Sequence, residues 1–420
     1  MKRIMLTGAR TRSRTDKVLV VGSALLLAVG LVASFASCAE TEQAVGPATD
    51  GSVTLGETST DAGVDAPADA VVDSGCEPSD PNCVSHQLSC EEAAWCPVPT
   101  SLSTLHSLTS LWGSGPNDVW AVGSGGMIIH YDGKAWEKTA PPQEATFNTF
   151  RSVWGSGPND VWVVSMTDVI LHGTGWANGG TTWTFVEGLA GQLPEQRAAT
   201  TVWGTGPDDV RIGFRSRFLM VGSEFAAYNQ WVKAADPDGG TSWAIAKGEG
   251  SIHGFWGTAN DIWYVADNSE NNGWQRGITV HGTANDAGVM VWTPVESQST
   301  QRLEAIWGSG PDDIWAVGDN GTIRHMTNGG SRWDIVASPT MEALHGVWGS
   351  GANDVWAVGD NGTILHFDGT GWKKSTAAFA IGRKPRLAAV WGSGPNDVWI
   401  VGDSVSLHYT GPKPGVEESE

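Results

Sequence analysis

One short motif returns seven times along this chain of 420 residues and limits its fold more than any other feature. In its first copy, residues 111–123, it reads Leu-Trp-Gly-Ser-Gly-Pro-Asn-Asp-Val-Trp-Ala-Val-Gly. Successive copies begin 41 to 53 residues apart, and each unit carries four short apolar segments separated by turn residues. Such a period is typical of a β-propeller, in which each unit forms one blade. The sequence therefore predicts an all-β, seven-bladed β-propeller with four-stranded antiparallel blades over residues 97–412.

The residues around the first tryptophan of each unit predict the innermost strand of a blade. Small residues lie two positions before it and larger apolar residues lie four before it, as Ser110 and Leu108 do for Trp112. With the two-residue period of a β-strand, we expect these three rows to share one face. Two rows account for 13 of the 23 tryptophans: Trp112, Trp154, Trp203, Trp256, Trp307, Trp348 and Trp391, then Trp120, Trp162, Trp263, Trp315, Trp356 and Trp399. Because these rings recur in register, we predict that they pack in the core rather than form a sugar-stacking platform.

The two ends of the repeat array predict how the ring closes. The last unit stops after its third strand, at residues 406–409. Trp95 precedes Trp112 by about the distance at which fourth-strand tryptophans such as Trp372 precede the next inner tryptophan. We therefore expect residues 95–99 to supply the missing fourth strand, so that an N-terminal strand near Trp95 closes the ring and leaves no open sheet edge.

Residues 1–37 have the pattern of an export signal. Residues 1–17 carry six basic residues and one acidic residue, and the apolar run 18–32 is short for a membrane span. The segment ends in Phe35-Ala36-Ser37-Cys38, which resembles the lipobox of bacterial lipoproteins, with phenylalanine where leucine is commoner. The resemblance implies a signal peptide over residues 1–37 and lipid attachment at Cys38. Ala39 implies an outer-membrane or cell-surface location, with a periplasmic or secreted protein as the alternative.

Residues 38–75 predict a disordered acidic tether, since they carry eight acidic and no basic residues among many small ones. A cysteine cluster follows over residues 76–96. In an exported chain, Cys76, Cys83, Cys90 and Cys96 predict two disulfides, with three connectivities open. Zinc is the weaker alternative, because the cluster has no Cys-x-x-Cys pair and only one histidine.

The net charge of −21 limits the possible partners. Removal of residues 1–37, with six basic residues and one acidic residue, would bring the charge to −26. Such a surface repels phosphate backbones and anionic lipids. We therefore expect no nucleic-acid partner, and contact with a membrane only through the N-terminal lipid. Residues 413–420 are predicted to be a tail.

Two polar residues recur in the units. Histidine stands in the third strand of six units and aspartate opens the second strand of all seven: His130, His172, His281, His325, His366 and His408, with Asp118, Asp160, Asp209, Asp261, Asp313, Asp354 and Asp397. Positions that are related by rotation but lie off the axis cannot converge on one metal ion. We expect each histidine to pack on the tryptophan of its own blade or bond a local acceptor. Each aspartate is expected to accept turn N–H groups, because a calcium site needs more oxygens than one turn supplies. No metal and no cofactor is predicted.

Three turns before fourth strands resemble the Asp-boxes of sialidase-like propellers, at residues 176–183, 236–243 and 326–333. All lack the opening serine, and two have asparagine in place of aspartate. In that family the box is a folding element far from the active site, so the resemblance implies a fold and not catalysis. More broadly, the Trp-Gly-Ser-Gly-Pro-Asn-Asp units resemble those of exported bacterial lipoproteins with seven-bladed Asp-box (BNR) propellers.

The site is predicted where the units differ. On one face the turns are short and uniform, whereas the connections on the opposite face, such as residues 139–149, 187–198, 267–273 and 376–386, vary in length and chemistry. We call this the variable face, and function concentrates on such loops. The position three residues before each inner tryptophan also varies, and arginines lie just upstream of it. The candidate ligand-binding residues are Arg151, His253, Glu304, His345, Arg302 and Arg386. They would form a polar funnel for a carboxylated sugar or peptide, with solvated polar packing between blades as the alternative.

Together these patterns predict a non-catalytic, lipid-anchored, monomeric propeller of the cell envelope that binds a protein or glycan partner. Two alternatives stay open. A glycoside hydrolase or lyase of the sialidase-like type would need two carboxylates about 5–10 Å apart at the mouth of the central channel. Glu304 is the one acidic residue among the seven that lie three positions before an inner tryptophan. A scaffold in outer-membrane assembly is the other.

Overall fold

The fold is a ring of seven antiparallel four-stranded sheets, which confirms the predicted seven-bladed propeller. The computed structural model describes residues 76–416 and 418, except residues 78, 187–197, 222–223, 236–239, 269–275, 287, 328 and 330–331. The predicted signal peptide, Cys38 and the tether lie outside the described residues. Within these ranges, no helix has the length and apolar character needed to span a bilayer.

The first four blades follow the chain order from the axis outward. Blade one contains Leu108–Gly115, Asp118–Gly123, Ile128–Tyr131 and Trp136–Thr139. Blade two contains Phe150–Gly157, Asp160–Ser165, Ile170–Gly173 and Trp183–Phe185. Blade three contains Ala199–Gly206, Asp209–Val221, Glu224–Ala235 and Thr241–Lys247. Blade four contains Ser251–Thr258, Asp261–Asp267, Gly277–Ala284 and Met290–Val295.

The last three blades include the closure of the ring. Blade five contains Leu303–Gly310, Asp313–Gly318, Thr322–Thr327 and Asp334–Val336. Blade six contains Leu344–Gly351, Asp354–Gly359, Ile364–Phe367 and Trp372–Lys374. Blade seven contains Leu387–Gly394, Asp397–Gly402 and Val405–Tyr409, and its fourth strand is Cys96–Pro97. Cys96 pairs with His408, as the predicted closure requires. Short 3₁₀ turns lie at Gln143–Ala145, Asp319–Gly321 and Asp360–Gly362.

Every inner strand contains a β-bulge three residues before its tryptophan. In blade one, Leu108 pairs with Gly123 and Ser110 pairs with Val122, so Thr109 is the extra residue. The same register shift occurs in the other six blades. An extra residue reverses the alternation of side chains. Leu108 therefore packs in a core cluster with residues of blade seven, whereas Trp112 packs with residues of blade two.

The bulge corrects one prediction and leaves another intact. The expectation that the residue four before the tryptophan shares its face is wrong, because the bulge lies between them. The row two before the tryptophan does face the next blade, since Ser110 Oγ accepts a 3.1 Å hydrogen bond from the Val153 backbone N–H.

Tryptophans seal the boundaries between blades, which confirms that they belong to the core. The fourth-strand Trp136 packs edge-on against Trp399 of the preceding blade, with ring centroids 5.3 Å apart. Equivalent pairs recur in four more blades and at the closure: Trp183 with Trp120, Trp243 with Trp162, Trp333 with Trp263, Trp372 with Trp315, and Trp95 with Trp356. Blade three has Arg211 at the second-strand position, and its guanidinium lies 5.8 Å from the Trp292 ring centroid.

The repeated histidines and aspartates form one local network in each of six blades. In blade one, His130 Nε2 donates to Asp118 Oδ1 at 2.7 Å, and Trp120 Nε1 donates to the same oxygen at 3.1 Å. Ser114 Oγ donates to Asp118 Oδ2 at 2.5 Å. The histidine ring also packs on the tryptophan of its blade, with centroids 4.6 Å apart. The predicted structural role of the histidines is thus confirmed, but the aspartates accept from side chains where turn N–H groups were expected.

The four cysteines form two disulfides, Cys76–Cys83 and Cys90–Cys96, as predicted. This pairing leaves none of them free as a zinc thiolate. The first disulfide loop docks on the connection between blades six and seven, where Cys83–Val84 pairs with Gly382–Arg383. The second ends in the closing strand, and Lys413 Nζ donates to the carbonyl oxygens of Cys90 and Ala93 at 2.7 and 2.8 Å. Lys413, which follows the last strand, thereby contacts the cysteine segment that precedes the closing strand.

One of the Asp-box-like turns, residues 176–183, is described throughout. Asn178 and Gly179 have φ values of 54° and 78°. The residues on either side of them, Ala177 and Gly180, each donate a backbone N–H to the carbonyl oxygen of the other. Two left-handed residues in a two-residue loop form a tight type I′ hairpin turn. This geometry places Trp183 at the start of the fourth strand, and it is shared by hairpins of many families.

Candidate functional site

The bulge residues of all seven blades line one cavity of about 280 Å³ along the axis, which we call the channel cavity. A bulge leaves its extra residue outside the regular pairing, so its side chain can turn toward the axis. Seven residues occupy this position: Thr109, Arg151, Thr200, His253, Glu304, His345 and Ala388. Arg386 lines the same cavity. Five of the six predicted ligand-binding residues therefore lie together.

A second cavity of about 220 Å³ adjoins the first on the side of blades two to five, and we call it the side cavity. Arg302, the sixth predicted residue, lines this cavity and not the channel cavity. Arg151, Thr200 and His253 line both. The remaining residues of the side cavity are Met166, Ala198, Ala199, Arg215, Ser251 and Asp267.

Three of the predicted residues bind one another. His253 Nε2 donates to Asp267 Oδ2 at 2.7 Å, and its Nδ1 lies 3.8 Å from Glu304 Oε2. Arg302 Nη2 donates to Glu304 Oε1. The side chains of His253 and Glu304 are only 7% and 10% exposed. These contacts are polar packing between blades four and five, which was the alternative interpretation of these residues.

Two aspartates contact the remaining basic side chains at the channel mouth. Arg302 Nε lies 3.7 Å from Asp319 Oδ2, and burial raises the pKa of Asp319, with Arg302 opposing that shift and Glu304 reinforcing it. His345 Nε2 donates to Asp360 Oδ1 at 2.8 Å, and Arg386 Nε lies 3.7 Å from the same oxygen. His345 and Arg386 thus share one carboxylate.

Arg151 differs from the other predicted cations, because it forms no ion pair with any residue that the structure describes. Burial by the channel wall lowers the pKa of its guanidinium, Glu304 opposes that shift, and Arg302, Arg386 and Arg215 add to it. The residue is nevertheless exposed to solvent. Arg151 therefore remains a cation that faces solvent among other cations.

A second row of residues at the channel mouth was not predicted from the sequence. It lies six residues after the aspartate that opens each second strand and contains Ser124, Met166, Arg215, Asp267, Asp319, Asp360 and Asp403. Backbone bonds tie this row to the start of the inner strand, as from Asp319 N–H to Arg302 O at 3.0 Å. The fixed offset from a repeated aspartate is the sequence feature that could have revealed it. Arg215 comes from this row, and so does one partner each of His253, Arg302 and His345, namely Asp267, Asp319 and Asp360.

The variable face also carries most of the exposed hydrophobic side chains. Ten large hydrophobic residues of the described ranges are exposed, and six lie in or beside connections on this face: Leu105, Phe147, Met166, Phe218, Met341 and Ile381. The connections pack against one another, since Gly126 N–H donates to Asn148 O at 2.7 Å and Gly321 N–H donates to Glu342 O at 2.9 Å. The other four, Phe185, Val289, Val291 and Ile335, lie in or next to fourth strands.

Comparisons with known proteins support the fold and give no family. No protein-family model matches the chain, and no curated protein matches its sequence. The solved structure of YCF48 bound to D1 peptide is similar at a TM-score of 0.54 and 16% identity, covering 80% of this chain and 100% of that one. YCF48 from Cyanidioschyzon merolae is similar at a TM-score of 0.54 and 22% identity, with coverages of 76% and 99%. The WD40 propeller domain of Doa1 follows at 0.52 and 9%, with coverages of 75% and 97%. At these identities, the likeness is one of fold alone.

Proposed function

We propose that this protein is a non-catalytic, lipid-anchored propeller of the cell envelope that binds a protein partner on its variable face. The observation that carries the binding role is the gathering of six exposed hydrophobic side chains on that face, around a charged channel mouth. Exposed apolar residues bordered by polar groups are typical of protein interfaces. The rigid ring would hold the variable connections in place as the recognition surface.

The chemistry of the exposed residues favours a protein over a glycan. Leucine, phenylalanine, methionine and isoleucine make up the apolar set, and no tryptophan is among the exposed large hydrophobic residues of the described chain. The tryptophans that are described seal the blades instead. YCF48, which is similar in fold, has been solved with a D1 peptide bound, and this supports a peptide or protein partner by analogy.

The carboxylates at the mouth support binding rather than hydrolysis. Glu304 accepts from Arg302, and Asp267 accepts from His253. A glycosidase needs one carboxyl group that stays protonated and a second that reaches the substrate. Burial raises the pKa of Asp319, as an acid would require, but Asp360, like Glu304 and Asp267, already accepts from a neighbouring side chain. We therefore expect no turnover of an aryl-glycoside panel by the purified protein, and turnover that is lost in Glu304→Gln would overturn the non-catalytic role.

The proposed location rests on the resemblance of residues 35–38 to a lipobox. The two disulfides are consistent with export, because such bonds persist in oxidising compartments. We expect the full chain to incorporate labelled palmitate and to sediment with membranes. Cys38→Ala should abolish both, whereas Cys38→Ala that still incorporates the label would contradict attachment at this residue.

The partner can be tested by photo-crosslinking of the full chain in native membranes, followed by mass spectrometry. Phe147→Asp and Met341→Asp, at residues 95% and 71% exposed, place a charge on the variable face. Ile335→Asp is the matched control, since Ile335 is 65% exposed but lies in a fourth strand. We expect one crosslinked protein that the control retains and both face variants lose.

Two outcomes would contradict the proposal. In the first, the crosslinked proteins are the same for the face variants and the control. In the second, the crosslinked species is another copy of this chain, and light scattering of the purified protein shows a dimer in place of the expected monomer.

A further inference from the structure

We infer that the side cavity is a carboxylate-binding subsite, in which Arg151 and Arg215 receive an acidic side chain or the chain end of the protein partner. The inference rests on the proposed function, because it names the part of the partner that enters the mouth. Both arginines line this cavity, and neither forms an ion pair within the described part of the chain. Arginine presents a planar fork that matches a carboxylate through two parallel hydrogen bonds.

Two of the arginines that line the cavity have no carboxylate partner among the described residues. These are Arg151 and Arg215, whereas Arg302 is held by Glu304 and Asp319, and Asp267 in the wall accepts from His253. In a chain with a net charge of −21, two such arginines at one cavity favour an anionic ligand. A carboxylate can accept hydrogen bonds from guanidinium groups.

Buried polar atoms at the same cavity point to the same ligand chemistry. Thr200 Oγ1 is buried and has no hydrogen-bond partner among the described residues. Arg302 Nε is also buried without such a partner, because the nearest Asp319 oxygen lies at 3.7 Å, beyond hydrogen-bond distance. Buried donors without partners are uncommon, and each costs free energy. Both atoms are closed to solvent in this structure, so an acceptor-rich group in the cavity would bond them once the two side chains turn toward it.

The shape of the site fits a single side chain or chain end. A volume of about 220 Å³ admits a carboxyl group with a few methylene groups but excludes a folded element. Met166 and Ala198 provide apolar wall for the methylene groups. Met166 is also 49% exposed on the variable face, so the cavity is continuous with the surface proposed to hold the partner.

The test uses the full mature chain and three pools of random hexapeptides. The first pool lacks Asp and Glu and has free C-termini, the second contains Asp and Glu with amidated C-termini, and the third lacks both kinds of carboxylate. We expect the first or the second pool to be retained about tenfold more than the third, because a hydrogen bond to a charged group contributes more than a neutral one. The pool that is retained identifies the source of the carboxylate.

Paired variants connect retention to the cavity. The double variant Arg151→Gln/Arg215→Gln should lose the enrichment, since glutamine keeps polar bulk without the charge. Arg332→Gln is the control, because Arg332 is exposed on a turn before a fourth strand, beside Asp334. Near-ultraviolet circular dichroism of the tryptophans confirms that each variant is folded.

The inference is wrong if the double variant retains carboxylate peptides at the wild-type level, or if the wild type retains all three pools equally. A fourth pool, of hexapeptides that contain phosphoserine, tests for a phosphate ligand. Stronger retention of this pool than of the carboxylate pools would also overturn the inference. These failures differ from failure of the proposed function. If crosslinking depends on Phe147 and Met341 but not on Arg151 and Arg215, a protein partner binds the variable face and the carboxylate subsite is wrong.

Discussion

Trp95 packs edge-on against Trp356, with ring centroids 4.9 Å apart and ring planes at 87°, so that an N-terminal residue seals the boundary between blades six and seven. Tyr409 closes the same contact, with its ring centroid 5.3 Å from that of Trp95. Trp95 is fully buried, like the residues that build the blades. The N-terminal segment therefore supplies a core side chain of the last blade in addition to hydrogen bonds to its edge.

This arrangement predicts a large loss of stability for Trp95→Ala. Truncation of a fully buried tryptophan removes its apolar surface and leaves a cavity, and typically costs about 3–5 kcal/mol in the free energy of unfolding. Chemical denaturation followed by tryptophan fluorescence measures this quantity. Leu105→Ala, at a residue 89% exposed, is the control and should change it by less than about 0.5 kcal/mol. An unchanged midpoint for Trp95→Ala would show that Trp95 does not hold the ring closed.

The closure and the number of blades were predictable, because both depend on spacing along the chain. The spacing between Trp95 and Trp112 alone predicts that an N-terminal strand closes the ring, and no side-chain geometry is needed for that prediction. The bulge at Thr109 also has a sequence signature, since the buried Leu108 and Leu111 lie three residues apart where a regular strand would place them two or four apart. That spacing was hidden by the assumption of an unbroken alternation.

The ion pairs of the mouth were not predictable in the same way. Arg302 lies two residues from Glu304, and a regular strand would place both on one face, but the spacing does not show that the two side chains bond. Glu304 is the bulge residue of its strand, and Asp319 approaches Arg302 from the turn after the second strand, at a distance that the sequence does not reveal. That Arg151 and Arg215 form no ion pair within the described residues depends on the packing of several blades at once. The position of a residue in the repeat indicates whether it lies at the channel mouth. Which charged groups there remain without a partner depends on how the side chains pack.

His366 predicts a pH dependence of stability. Burial disfavours its imidazolium, but hydrogen bonds to Asp354 and Glu418 outweigh burial and raise the pKa of His366 to about 9. An unfolded histidine has a pKa near 6.5, so the folded state binds the extra proton between these values. The stabilisation is therefore fully present below about pH 6.5 and is lost as pH rises toward 9.

The measurement is the free energy of unfolding at pH 6.5 and pH 9 for the wild type and for Glu418→Gln. We expect the wild type to lose about 1–3 kcal/mol more than the variant over this range, because the variant lacks one of the two carboxylates. An equal change in the free energy of unfolding for the two proteins would show that Glu418 does not stabilise the imidazolium. An NMR titration that gives His366 the same pKa in both proteins would show this too.

Arg151 and His253 should differ in their effect on stability, although both line the channel. Arg151 has cations around it and forms no ion pair within the described residues, so Arg151→Gln should leave the free energy of unfolding within about 0.5 kcal/mol of the wild type. His253 stands between Asp267 and Glu304, and His253→Ala removes the group that separates these carboxylates. We expect a loss of about 1–3 kcal/mol. Equal stabilities of the two variants, measured by urea denaturation, would mean that the charge chain through His253 is not a structural element.

Gly155 and Gly157 stand two residues apart in one inner strand and should respond oppositely to substitution. A Cβ on Gly155 would meet the Asp160 carbonyl oxygen and the Trp112 ring, both at 2.5 Å, whereas a Cβ on Gly157 would meet nothing within 4 Å. The Asp160 carbonyl belongs to the backbone of the neighbouring strand, and Trp112 belongs to the preceding blade. Neither atom can move away unless the strand shifts or the two blades separate. Overpacking of this kind costs about 1–3 kcal/mol or more. We therefore expect Gly155→Ala to lower the thermal midpoint clearly and Gly157→Ala to leave it within a degree or two, or to raise it slightly because alanine reduces the freedom of the unfolded chain. If Gly155→Ala is as stable as Gly157→Ala, the inner tryptophans do not set the distance between neighbouring blades.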